Sequence, residues 1–154
     1  LAFCRWPFGR MLKGDYNWDW HKDIFNEARG ALPLLDVGLS ALIQDLDERG
    51  LLDDVAVVVW GEFGRTPKIN QNAGRDHWAP LSTLALAGGG LRMGQVVGES
   101  APKVDVPKST PITPQDLMAT VFHTLGIDPQ IQFVNGAGRP TYMIENGHAI
   151  RELV

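Results

Sequence analysis

The chain has 154 residues, of which 44% are apolar and 21% charged, and its formal net charge is −4 at pH 7. This balance is typical of one folded domain and too apolar for a disordered chain. The negative charge and scattered basic residues give no electrostatic footprint for nucleic acid or an anionic membrane. No apolar stretch approaches the roughly 18 residues that a membrane span needs. The single cysteine, Cys4, excludes an internal disulfide and a multi-cysteine zinc site.

The amino-terminal part predicts an irregular segment followed by a helix. Residues 1–16 have no clear period, and "NWDWH" (17–21) alternates polar and aromatic side chains, so an extended backbone would place Asp19 and His21 on one side. Apolar residues spaced by three and four then predict a main helix over about 33–49. Pro33 suits its first turn, Gly30 and Pro33 favour a break before it, and Gly50 supplies the left-handed stop.

Two or three strands follow. The β-branched run "VAVVVW" (55–60) is typical of a strand covered on both faces, as in a parallel sheet between helices. "LSTLALAGGG" (81–90) predicts a second buried strand, and "GQVVGES" (94–100) a third, short one. The order helix, strand, long loop, strand, helix predicts an α/β domain whose site lies in loops beyond the strand ends.

The clearest helix is "TPQDLMATVFHTLG" (113–126). Thr113 is the predicted N-cap, Asp116 completes a capping box, and Gly126 terminates the helix. The polar side of this helix carries Asp116, Thr120 and His123. The tail after residue 126 is rich in turn dipeptides and favours a hairpin.

Four residues form the candidate metal set: Asp19, His21, Glu62 and His77. Carboxylates and imidazoles suit Zn, Mn or Fe, and ligands spread over separate segments are normal for a folded site. Each residue also has a structural interpretation. Asp19 and His21 fit a turn and a surface position, Glu62 fits a capping acid after its strand, and His77 fits a hydrogen-bonded pair with Asp76.

Two arginines flank the same stretch. Arg65 and Arg75 are candidate binding residues for a phosphate or sulfate group, because a guanidinium matches these anions bidentately. Arg65 is also the candidate for stabilising an oxyanion during reaction. Internal salt bridges that hold the loop are the alternative role for both. Ser40, Ser82 and Ser109 carry no local signature of a nucleophile.

Several segments together resemble a bacterial domain-of-unknown-function family, number 1501. They are "WDWH", "LIQDLDERGLLDDVAVVVWGEFGRTPKIN", "AGRDHW", "LALAGGGLRMGQVVGES" and "TPQDLMATVFHTLGIDP". The resemblance covers roughly residues 17–154, and the stretch "GEFGRTP…GRDHW" is its most specific part. That family is in turn similar to the alkaline phosphatase and sulfatase superfamily. The resemblance therefore implies a three-layer fold with a mostly parallel sheet between helices, and a metal-dependent hydrolase of phosphate or sulfate esters.

The resemblance also implies roles for single residues. Asp19, His21 and His77 match the Asp and two His that hold one metal in the superfamily. The Asp-His pair for a second metal falls on Glu62 and Phe63, and Phe63 has no ligand atom. The ligand types favour Zn, with Mn or Fe as alternatives. The resemblance implies a small anionic ester as substrate and a periplasmic or exported location.

The superfamily's nucleophile and first metal-binding acid precede all these motifs, and this chain has no room for them before Asp19. We therefore expect one domain, 1–154, that is the carboxyl-terminal portion of a longer domain. It would be inactive alone and self-associate through an open sheet edge. The alternatives are a non-catalytic binding module with at most one structural metal, and a polar loop that only clamps a partner chain and holds no metal.

Overall fold

A computed structural model describes residues 18–154, so the predicted irregular segment 1–16 and Cys4 lie outside the described residues. The fold is mixed α/β, with helices and strands in the order α1 Ile24–Glu48, β1 Ala56–Val59, β2 Gly64–Arg65, β3 His77–Trp78, β4 Ala85–Gly88, α2 Pro114–Thr124, β5 Gln132–Val134 and β6 Pro140–Tyr142.

Helix α1 begins nine residues before the predicted start, and the expected break at Gly30 and Pro33 does not occur. Its amino end is held from outside the helix, because the backbone N–H groups of Asp23 and Ile24 donate to carbonyls of a distant loop at 3.0 and 2.9 Å. These bonds satisfy donors that a helix start leaves unpaired. Pro33 therefore lies inside the helix, on an exposed face where the loss of one backbone hydrogen bond is tolerated.

The carboxyl end of α1 and the amino end of α2 agree with the sequence. The N–H of Gly50 donates to the Asp47 carbonyl at 2.9 Å and that of Leu51 to the Leu46 carbonyl at 2.8 Å, which is a Schellman motif with Gly50 at φ +67°. Helix α2 has the predicted capping box between Thr113 and Asp116.

The strands form three two-stranded antiparallel sheets: β1 with β4, β2 with β3, and β5 with β6. The first and second predicted strands are thus present, but each is only four residues long and mostly half-buried rather than covered on both faces. The predicted tail hairpin is β5–β6. No parallel pair occurs among residues 18–154. The reason lies in the connection from β1 to β4, which contains the β2–β3 pair and no helix, whereas parallel neighbours need a crossover, usually helical.

The predicted third strand at 94–100 is wrong. Within it only Ser100 makes an isolated bridge, to Pro107, and Val96 is 94% exposed. A strand is stabilised when its apolar side chains pack on a covered face, and the Val96 side chain packs on no such face.

Buried side chains gather near the carboxyl end. Leu91, Ile150 and Leu153 form one cluster, and Leu117 and Thr120 of α2 are almost inaccessible. Thr120, expected on the polar side of α2, is buried instead. Its hydroxyl is satisfied there because it donates to the Asp116 carbonyl and accepts from the Ile150 N–H. His123 is exposed, as expected.

We expect Thr120→Val to lower the free energy of unfolding by about 1–3 kcal/mol, because the buried Ile150 N–H loses its acceptor. Thr124→Val is the matched control. The Thr124 hydroxyl donates only within the helix, to the Val121 carbonyl, and its loss leaves no buried donor unpaired. Urea unfolding of the two variants measures the difference, and equal stabilities would contradict the assigned role of Thr120.

The apolar face of α1 is mostly uncovered. Only Leu46 of this 25-residue helix is buried, whereas Phe25 is 54% and Val37 65% exposed. Among the described residues, the two helices lack the combination of length and apolar character that crossing a membrane requires. The exposed stripe is therefore a surface left open by the residues that the structure describes.

Candidate metal centre

Three side chains from distant parts of the chain bring one ligand atom each to a common point. Asp19 Oδ1 lies 3.1 Å from His21 Nε2 and 2.8 Å from His77 Nε2, and the two imidazole nitrogens are 3.2 Å apart. Among the described residues these three form the cluster that could hold a metal ion. The D-x-H pair and His77, predicted from the sequence, are thus together.

The triangle of ligand atoms fits a small divalent ion. Ligands at about 2.0–2.1 Å from zinc in tetrahedral geometry lie about 3.3 Å from each other, so the observed edges need only a few tenths of an ångström of expansion. Two imidazoles and a carboxylate leave a fourth position open, which is typical of catalytic rather than structural zinc sites. Each side chain is partly exposed, between 38 and 50%, so the point is accessible from solvent.

Two segments carry these ligands. Asp19 and His21 lie in the stretch just before α1, and His77 is on β3, where it pairs with Arg65 of β2 in the antiparallel register. Directly opposed residues of such a pair project from the same face, so Arg65 and His77 reach the site together. The short β2–β3 pair therefore positions one ligand and one cation.

The loop 66–76 binds the segment before α1 through the backbone. The Arg75 N–H donates to the Trp20 carbonyl at 3.1 Å, and an isolated antiparallel bridge joins Lys22 to Ala73. Gly74 is buried where the two segments cross, and a Cβ there would collide with the backbone of His21. A residue without a side chain is therefore needed for this approach.

His21 is held from the side opposite the cluster. Its Nδ1 lies 2.7 Å from Asp76 Oδ1, and the same oxygen accepts from Asn70 Nδ2 at 3.1 Å. The hydrogen bonds from His21 first, and then from Asn70, lower the pKa of Asp76 below its usual value. The sequence suggested that Asp76 pairs with its neighbour His77; it pairs with His21 instead, and Asn70 was missed.

Asn70 uses its whole side-chain amide at this crossing. Its oxygen accepts from the N–H groups of Asn72 and Gly74, each at 2.9 Å, and its nitrogen donates to the His21 carbonyl at 3.0 Å as well as to Asp76. The only signal for it in the sequence is an asparagine within a polar, glycine-containing loop, where Asx turns are common.

Arg65 supplies positive charge beside the cluster. Its Nη2 lies 2.6 Å from Asp19 Oδ1, and its side chain is only 25% exposed. The hydrogen bonds from His77 and from Arg65 lower the pKa of Asp19 from 3.8 to about 2. Asp19 is therefore an ionised carboxylate at neutral pH, which is the form that binds a cation.

The lowered pKa of Asp19 predicts an acid-dependent stability. Because the folded-state value is below the unfolded one, the Asp19 contribution is complete above about pH 4 and is lost as the pH falls through about 2. We expect Asp19→Asn to flatten this decline in metal-free protein. Urea unfolding at a series of pH values measures it, with Asp36→Asn as an exposed-carboxylate control. Parallel curves for wild type and Asp19→Asn would contradict the prediction.

The other predicted residues lie differently. Arg75 is turned into its own loop, where its Nη1 donates to the carbonyls of Thr66 and Pro67, the latter at 2.8 Å. Glu62 is exposed and is not part of the three-ligand cluster. Phe63 packs its ring on His77, with centroids 4.3 Å apart. The structure thus brings together three of the four predicted metal ligands and leaves Glu62 outside.

In the metal-free arrangement, hydrogen bonding can satisfy the three ligand atoms. A proton on His77 Nε2 can be donated to Asp19 Oδ1 at 2.8 Å, and the imidazole nitrogen of His21 can act as a second acceptor at 3.2 Å. A divalent cation would take the place of that shared proton, since ligand imidazoles must present a lone pair.

Comparison with known protein families gives a match over most of the chain. The family described as "Protein of unknown function (DUF1501)" matches residues 7–154. The chain belongs to this family. The match covers every residue of the cluster and of the loop that supports it. No curated protein and no solved structure matches this DUF1501 chain.

Proposed function

We propose that this DUF1501 chain binds one divalent metal ion through Asp19, His21 and His77. We further propose that it forms part of a metal-dependent hydrolase of phosphate or sulfate esters. The convergence of three ligand atoms, with separations of 2.8–3.2 Å, carries this proposal. Zinc suits this ligand set best, with manganese or iron as alternatives. The open fourth position would admit a substrate oxygen.

The chemistry of such a site follows from its charges. A bound divalent ion supplies Lewis acidity to an ester oxygen. Arg65 lies next to Asp19, where its guanidinium would attract an anionic ester and stabilise negative charge that develops on it. Arg75 is a weaker substrate-binding candidate, because its guanidinium already binds loop carbonyls.

The wider proposal is that the chain is the carboxyl-terminal portion of a larger domain similar to alkaline phosphatases and sulfatases, with a three-layer fold. The exposed apolar stripe of α1, including Phe25, Leu32 and Val37, supports it, because a helix with such a stripe normally packs on another layer. The nucleophile would then come from polypeptide outside these 154 residues, and Glu62 would contact a second metal there.

The alternative is a non-catalytic binding module that keeps one structural metal. Phe63 favours it, since the resemblance matches this position to a ligand of the second metal, and here the position carries an apolar ring that packs on His77. Both functions include the same metal, so they differ in turnover and not in metal binding.

The test is hydrolysis of an aryl phosphate and an aryl sulfate by the full-length protein, with zinc or manganese added. We expect turnover that is lost in His77→Ala. His123→Ala is the control and should keep turnover, because it removes an exposed histidine that is not part of the three-ligand cluster. Metal binding without turnover of either ester would support the binding module and contradict the hydrolase.

Self-association of the isolated chain is a further part of the proposal. The sheet of β1 and β4 has only two strands, so each has an edge that no described strand covers, and such edges pair readily with another chain. Sedimentation velocity at increasing concentration tests this, and a monomer throughout would contradict it.

A further inference from the structure

Both ring nitrogens of His21 lie near a carboxylate, but at different distances. Its Nδ1 faces the Asp76 carboxylate at 2.7 Å, whereas its Nε2 faces Asp19 and His77 at 3.1 and 3.2 Å. An ionised carboxylate can only accept a hydrogen bond, and a neutral imidazole carries one N–H. The Asp19 oxygen near Nε2 is farther away and already has His77 Nε2 at 2.8 Å and Arg65 Nη2 at 2.6 Å as donors. The shorter Asp76 contact therefore assigns the proton to Nδ1 and leaves a lone pair on Nε2, directed at the candidate metal position.

Asp76 is itself fixed by Asn70. Two backbone N–H groups bind the Asn70 side-chain oxygen, so the side-chain amide cannot be reversed without losing both bonds. Its nitrogen must then face the His21 carbonyl and Asp76 Oδ1, which it reaches at 3.0 and 3.1 Å. Asn70 therefore holds both the backbone of His21 and the carboxylate that contacts its ring.

We infer that Asn70 and Asp76 form a positioning relay that sets the tautomer and ring orientation of His21, so that its Nε2 lone pair is presented to a metal. The metal-binding half of this inference rests on the proposed function. The tautomer half does not, because it concerns the metal-free protein. Partners of this kind, which orient a ligand histidine without touching the ion, typically change metal affinity by about 10- to 100-fold.

The contacts also predict how two substitutions of Asp76 differ. Asp76→Ala removes the acceptor and frees the His21 ring. Asp76→Asn keeps an oxygen that the Asn70 amide donor would hold in the position of Oδ1, so the hydrogen bond from His21 Nδ1 persists without the charge. We expect Asp76→Asn to retain most of the orientation of His21. If the negative charge of Asp76 were what orients the ring, Asp76→Asn would lose the orientation as Asp76→Ala does.

The first measurement is the tautomer of His21 by long-range ¹H–¹⁵N NMR of metal-free protein in alkaline buffer, where imidazoles are neutral. Wild type and Asp76→Asn are expected to show the Nδ1–H form, and Asp76→Ala a shift towards Nε2–H. Asp45→Ala is the matched control, because Asp45 is similarly exposed (54% against 52%) and ion-paired, but on α1. An Nε2–H form in wild type, or no change in Asp76→Ala, would overturn the inference.

The second measurement is zinc affinity of the same four proteins by competition with a chelator. We expect a 10- to 100-fold loss for Asp76→Ala, a smaller loss for Asp76→Asn and none for Asp45→Ala. Equal affinities for wild type and Asp76→Ala would overturn the relay's role in metal binding. No zinc binding by any protein, with the expected tautomers, would refute the proposed function and leave the positioning of His21 established. If Asp76→Ala does not fold, Asp76→Asn against Asn70→Ala makes the same comparison.

Discussion

Gly74→Ala is expected to abolish zinc binding and to lower the free energy of unfolding by at least about 1–3 kcal/mol. The reason is the crossing of two backbones. A Cβ on residue 74 would meet the carbonyl group of His21 and the backbone nitrogen of Lys22, and backbone atoms cannot move aside as the end of a side chain can. The loop would have to separate from the segment that carries Asp19 and His21, so the ligands would no longer converge.

Urea unfolding and zinc titration measure both effects of Gly74→Ala. Gly38→Ala is the control, because Gly38 lies in α1 with open space around the position of a Cβ. Alanine there should raise the free energy of unfolding by about 0.5–1 kcal/mol through helix propensity and leave zinc affinity unchanged. Wild-type stability and affinity in Gly74→Ala would show that the two segments do not need to approach so closely.

Removal of one metal ligand is the second large effect. We expect His21→Ala to weaken zinc binding by more than about 100-fold, since loss of a direct ligand should exceed the loss of a partner that only orients one. Glu62→Ala should keep the affinity of wild type in the isolated chain, because Glu62 is outside the three-ligand cluster. Chelator competition, with His123→Ala as control, measures all three.

The comparison of Glu62→Ala with His21→Ala also separates the interpretations of the site. A site built around all four predicted residues would lose affinity in both variants. Equal, weak zinc binding by wild type and His21→Ala would instead favour a polar loop that only clamps a partner chain.

Local physical chemistry explains which parts of the fold could be predicted. The capping box of α2 and the glycine stop of α1 depend on residues within one helical turn, and both are as expected. The start of α1 depends on carbonyls of a loop about 50 residues away, which no local pattern reveals. The sequence predicted a parallel sheet, whereas β1 and β4 pair antiparallel, because the direction of a neighbouring strand depends on the connection between the two strands and not on the apolar run itself.

The site divides in the same way. Asp19 and His21 were predictable as a pair because their spacing gives them a common direction, and His77 because imidazole is a common ligand. The partner of His21 was not, because chain proximity placed Asp76 with His77, while the crossing at Gly74 brings Asp76 to His21. The hydrogen bonds from Arg75 to the carbonyls of Thr66 and Pro67, just after β2, were not predictable either, because they join residues eight and nine positions apart across a folded loop.

The most direct measurement of the central claim is zinc K-edge X-ray absorption on the chain loaded with one equivalent of zinc. Asp19, His21 and His77 as ligands predict two imidazole nitrogens and oxygen donors at about 2.0–2.1 Å, with the outer-shell scattering of both imidazole rings. His77→Ala should show one imidazole or retain no zinc. A wild-type spectrum without imidazole scattering, or a chain that holds no zinc after dialysis, would contradict the claim that these three residues form a metal site.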